Sequence, residues 1–105
     1  MNESDISTAD IQIIPASIPA DLVVLDVRED HEWAAGHIDG AVHIPLGDLP
    51  VRVGELDPST KTVVVCHLGG RSARATAWLQ ARGHDVTNVD GGMEAWEQAG
   101  RPVTR

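Results

Sequence analysis

The sequence predicts an α/β domain with a mostly parallel central sheet flanked by helices. Residues 22–27 and 63–65 are apolar runs of the kind found in strands covered on both faces, without the alternation of a half-exposed strand. Helix-forming stretches at residues 30–35 and 72–82 follow these runs, and Gly83 and Gly100 stand where helices would stop. Strands alternating with helices imply a parallel sheet. At 105 residues, the chain has material for one core and not for two.

Taken in order, residues 1–10 are polar and acidic and read as a flexible N-terminus, leaving residues 11–105 as a single domain. Residues 11–14 suit a short edge strand before Pro15 and Pro19 interrupt it. After the first buried strand come a short helix at 30–35, a short strand at 41–44 and a helix at 46–56 preceded by Pro45, with Pro58 turning the chain. The second buried strand leads into a glycine-rich loop and the helix at 72–82, followed by a strand at 86–89 and a helix at 93–98. No internal repeat or low-complexity segment is visible.

The stretch Cys66-His67-Leu68-Gly69-Gly70-Arg71-Ser72 lies where a buried strand ends and a helix begins. In an α/β sheet, functional loops sit at the carboxyl ends of the strands, and this cysteine is there. Backbone N–H groups without intrahelical partners and the positive end of the helix dipole favour an anion at such a place. A free cysteine is only a few per cent thiolate at neutral pH, so activation needs this kind of surrounding, with Arg71 close by. Cys66 is the candidate nucleophile. Gly69 and Gly70 allow the loop to curl its amides inward. Arg71 offers a planar fork to an oxyanion, and Ser72 either caps the helix or donates its hydroxyl into the loop.

The pattern C-x-x-G-x-R-S after a hydrophobic strand resembles the active-site loop of single-domain rhodanese-like sulfurtransferases. Asp26-Val27-Arg28, Glu32-Trp33, Gly36-His37-Ile38-Asp39-Gly40-Ala41 and Ile44-Pro45-Leu46 resemble that family's first signature, and Val89-Asp90-Gly91-Gly92-Met93-Glu94-Ala95-Trp96 its second. Together they cover roughly residues 22 to 103. The resemblance implies a rhodanese-like three-layer fold and a reaction without cofactor. Cys66 would attack the outer sulfur of a thiosulfate-like donor, hold it as a persulfide and pass it to cyanide, a thiol or a protein cysteine. The amides of His67, Leu68, Gly69, Gly70, Arg71 and Ser72 would form the substrate cradle, and Arg71 would orient the donor.

Other readings stand beside this one. Cysteine and arginine around an oxyanion also suit a cysteine phosphatase or arsenate reductase, but phosphatase loops resemble C-x5-R, whereas four residues separate Cys66 from Arg71 here. A sulfur-relay or binding module acting with a partner protein is the third reading. Having one cysteine, the chain cannot resolve a persulfide internally and needs an external acceptor.

Asp26 and Arg28, two apart on a strand, face the same way and read as a structural ion pair rather than as acid and base. Five histidines raise a metal reading, with His37 and His43 flanking Asp39, but no zinc-type Cys/His spacing occurs and no metal is expected. His67 either helps hold the thiolate or donor, or points to solvent. Trp33, Trp78 and Trp96 read as core or rim packing in a chain without Phe or Tyr. A net charge of −8 argues against nucleic-acid and anionic-membrane partners. Met1-Asn2-Glu3-Ser4-Asp5 has no signal-peptide character, so a cytoplasmic protein is expected.

Overall fold

The computed structural model describes residues 5–105. Its five strands are β1 (Thr8–Ala9), β2 (Leu22–Asp26), β3 (Val42–His43), β4 (Lys61–Val65) and β5 (Val86–Val89). They form one sheet in the order β1-β5-β4-β2-β3, every pair parallel. β4 is central, and β2 runs in register with its full length, from Leu22 beside Lys61 to Asp26 beside Val65. Helices α1 (Asp30–Ala35), α2 (Leu49–Arg52), α3 (Gly70–Ala81) and α4 (Gly92–Gln98) flank it.

The apolar runs are continuous because both faces of the sheet are covered. Successive strand residues point to opposite sides, so Leu25 and Val64 join Leu49, Ala75 and Leu79 in one cluster. Val24, Val63 and Val65 join Ile14, Met93 and Trp96 in the other. Cys66, one residue beyond β4, belongs to the first cluster.

Three expectations are corrected. Residues 11–14 form no strand: Ile11–Ile13 is a 3-10 turn whose N-cap, Asp10, accepts a hydrogen bond from the Gln12 N–H at 2.8 Å. That local bond offers the backbone an alternative to a sheet ladder. The edge position is taken by β1, which lies inside the stretch expected to be flexible. Asn88 N–H donates to Ser7 O and Asp90 N–H to Ala9 O, both at 2.8 Å. The rest of that expectation, for residues 1–4, lies outside the described residues. Finally, the helix expected at 46–56 is three pieces: a 3-10 turn at Leu46–Asp48, α2, and a 3-10 turn at Val53–Glu55. Pro50 has no N–H to donate to the turn before it, and its ring crowds that turn, so the backbone tightens rather than running on as one α-helix.

Candidate active site

β4 delivers Cys66 to the carboxyl edge of the sheet, and α3 begins at Gly70. Between them Gly69 turns the chain with φ +125°, a conformation side-chain-bearing residues rarely adopt. This turn aims the Gly69 N–H at the cysteine, 3.1 Å from Sγ. Ser72 Oγ lies 3.3 Å from Sγ and 3.1 Å from Gly69 O, to which it donates. Of the two serine roles open in the sequence, the hydroxyl takes the one inside the loop. It can accept from a thiol and, by rotating, donate to a thiolate.

Cys66 is 1% exposed, yet it forms part of a cavity also lined by His67, Leu68, Gly70 and Arg71. Among the described residues, the backbone donor on Sγ is the Gly69 N–H alone, so the ring expected from His67 to Ser72 is represented on the sulfur by one amide and one hydroxyl. His67 and Leu68 are exposed at the rim.

Arg71 lines the cavity, but its guanidinium is held by a partner outside the loop. Nη1 and Nη2 donate to Glu32 Oε1 and Oε2 at 2.6 and 2.9 Å, a bidentate pair linking α1 to α3. Glu32 also accepts from the Glu29 N–H as part of a capping box that starts α1. The Arg71 hydrogen bonds, partly offset by burial and helped by the Glu29 amide and the charges of Arg71 and Arg28, hold the Glu32 carboxyl down at about 2. The same pair raises the Arg71 pKa. Glu32 belongs to the first signature, but nothing in the linear sequence links it to a residue 39 positions away.

A carboxylate whose folded pKa lies below its ordinary 4.5 adds stability above the ordinary value and loses it as pH falls toward about 2. Glu32→Gln should therefore melt at a lower temperature than the wild type at pH 7, with the gap narrowing steadily as pH drops from about 5 to about 2. Thermal melts across that range check it. A gap independent of pH would show that ionisation of Glu32 contributes nothing.

Asp26 and Arg28 meet where β2 ends. Arg28 Nε lies 3.0 Å from both Asp26 oxygens and Nη2 2.7 Å from Oδ2, while the Arg28 N–H donates to Oδ1 at 3.0 Å. Nη2 also donates to Gly36 O at 2.8 Å, tying the end of α1 to the sheet. Asp26 is fully buried and Arg28 nearly so. The pair braces the sheet edge beside the cysteine and does not line its cavity.

His37 and His43 both stack on Trp33, with ring centroids 3.5 and 4.7 Å from it. His37 Nδ1 lies 2.9 Å from Trp33 O and His43 Nε2 2.8 Å from Arg28 O. Among the described residues, no group of three or more His, Cys, Asp or Glu could hold a metal ion. Trp96 is buried in the core with Arg101 over its ring, and Trp78 lies at the edge of the other cluster beneath Arg82.

The model of the Rhodanese-like domain family matches residues 15–99. The chain belongs to the rhodanese-like family. YtwF of Bacillus subtilis (strain 168) is 41% identical to this rhodanese-like chain over 104 residues, covering 97% of it and 98% of YtwF. The thiosulfate sulfurtransferase GlpE of Pseudomonas putida (strain KT2440) is 41% identical over 75 residues, 70% of this chain and 68% of that one. The crystal structure of a rhodanese-related protein from Thermoplasma volcanium superposes with a TM-score of 0.77 at 36% identity, over 80% of this chain and 84% of its own. The rhodanese-like fold expected from the motifs is thus the fold observed.

Proposed function

We propose that the chain is a sulfurtransferase that carries sulfane sulfur on Cys66, with thiosulfate or a similar anion as donor. The observation that carries this reading is Cys66 lining a cavity with the loop residues His67, Leu68, Gly70 and Arg71, its sulfur met by the Gly69 N–H at 3.1 Å and the Ser72 hydroxyl at 3.3 Å. The activity named for GlpE is in keeping with it. The Cys66 thiolate attacks the outer sulfur of thiosulfate, a new S–S bond forms, and the donor's S–S bond breaks as sulfite leaves with the electron pair. Cyanide or an external thiolate then attacks the terminal sulfur, and Cys66 departs as thiolate. No cofactor enters either step.

The Gly69 N–H, joined by the Ser72 hydroxyl when it rotates onto the sulfur, stabilises the negative charge present before attack and regenerated after transfer. Glu32 occupies one edge of the Arg71 fork and leaves the other N–H groups to an anionic donor. The acceptor comes from outside, because Cys66 is the chain's one cysteine. A free thiol as nucleophile suits a reducing compartment, which is why we place the protein in the cytoplasm.

A phosphatase or arsenate reductase would need a longer loop around its anion. Four residues separate Cys66 from Arg71, one fewer than in C-x5-R. The shorter loop favours sulfur.

Intact mass after incubation with thiosulfate is the direct test. A gain of one sulfur atom, removed by cyanide, is the expected result; an unchanged mass, with hydrolysis of an aryl phosphate instead, would overturn it. Arg71→Lys should raise the thiosulfate KM several-fold while changing kcat less, because an ammonium cannot reproduce the fork. Steady-state kinetics with thiosulfate and cyanide check this.

A further inference from the structure

Beyond the loop itself, the start of α4 is built against the nucleophile's own backbone. The Met93 N–H donates to Cys66 O at 2.8 Å and the Glu94 N–H to His67 O at 3.0 Å. These are amides of the first turn of α4, which have no carbonyl within their own helix to bond. The peptide bonds are trans throughout the described chain. A carbonyl held toward α4 therefore sends the N–H of the next residue the opposite way. Fixing Cys66 O and His67 O in this manner fixes the direction of the His67 and Leu68 amides, and with them the approach of the chain to Gly69.

Gly92 is what lets α4 come this close. Its φ is +48°, and a Cβ at that position would lie 2.2 Å from Cys66 O, 2.9 Å from His67 O and 3.0 Å from the Cys66 carbonyl carbon. All three are backbone atoms, so no flexible side chain can yield. Any residue but glycine forces α4 and the loop apart.

We propose that Gly92 is a positioning residue for sulfur transfer: by letting the first turn of α4 hold the carbonyls of Cys66 and His67, it aligns the loop donors on the Cys66 sulfur. This deepens the sulfurtransferase reading and rests on it for the reaction, though not for the state of the thiol. Gly92 never touches substrate. Its effect passes through Met93 and Glu94 to the loop.

The test is Gly92→Ala compared with Trp96→Phe, which perturbs the same helix at a buried core residue one turn further on. Two properties are read: the pH–rate profile of Cys66 alkylation by iodoacetamide, and kcat and KM for thiosulfate with cyanide as acceptor. Gly92→Ala should alkylate about tenfold more slowly at pH 7, with its profile displaced to higher pH, and should lose about tenfold in kcat with KM nearly unchanged, as expected when a donor to a charged group is misaligned. Trp96→Phe should melt earlier and keep the wild-type profile.

If Gly92→Ala does not fold, an ester in place of the amide at Met93 removes only the N–H that holds Cys66 O. It should displace the profile in the same direction by a smaller amount. A folded Gly92→Ala, or failing that the ester variant, with the wild-type profile and kcat would overturn the proposal. A wild-type protein that gains no sulfur from thiosulfate would sink the sulfur-transfer reading, yet the alkylation comparison would still decide the role of Gly92.

Discussion

Replacing Cys66 with serine is expected to abolish sulfur transfer while leaving the fold in place. A hydroxyl is scarcely ionised at neutral pH and forms no sulfur–sulfur bond, so neither half of the reaction has a route, and loss of such a nucleophile costs at least about 10³-fold in kcat. The fold should tolerate the change. Serine is close in size, and the Gly69 N–H and the Ser72 hydroxyl that now meet Sγ can serve its oxygen instead. The variant should show no mass gain with thiosulfate, no thiocyanate formation with cyanide, and a melting temperature within a few degrees of the wild type. Retained turnover would defeat the assignment of Cys66 outright.

The second large effect falls on stability. Arg28→Ala would leave the Asp26 carboxylate, fully buried at the end of β2, without its bidentate partner. Breaking a buried ion pair from one side costs about 3–5 kcal/mol, because the remaining charge is both desolvated and unpaired. For a domain of this size each kcal/mol moves the melting temperature by about 4–8 °C, so a fall of more than about 12 °C is expected by calorimetry. Gly36 O also loses its donor. Asp26→Ala combined with Arg28→Ala should cost less than the two single changes added together, since the double variant strands no charge. Strict additivity would mean that the pair is not coupled.

This ion pair is legible in the residue order, since a carboxylate at the end of an apolar strand and a guanidinium two positions on are within reach of each other, even though β2 ends at Asp26 and Arg28 lies beyond it. Its connection to Gly36 O is not. That bond depends on where α1 ends in space, which spacing along the chain does not encode. The strand–loop–helix around Cys66 is readable for the same local reason as the ion pair: an apolar run, glycines and helix formers act within a few residues of one another. Local chemistry also decides the segments where pattern and fold disagree, but through competing signals. At residues 11–14 the Asp10 side chain captures an amide that the apolar pattern assigns to a strand. At 46–56 Pro50 divides a helix that the hydrophobic spacing supports.

By itself the sequence pointed to Cys66 as the candidate nucleophile and determined the buried strands of the sheet, the loop and helix that follow the second of them, and the family, because each rests on residue chemistry acting over short distances. Only the tertiary structure decided which groups meet across long separations: Glu32 on Arg71, α4 on the carbonyls of Cys66 and His67, and Ser72 turned onto the sulfur. Those contacts arise where parallel strands deliver their carboxyl ends to a common edge, and the packing of helices on both sides of the sheet sets the distances there.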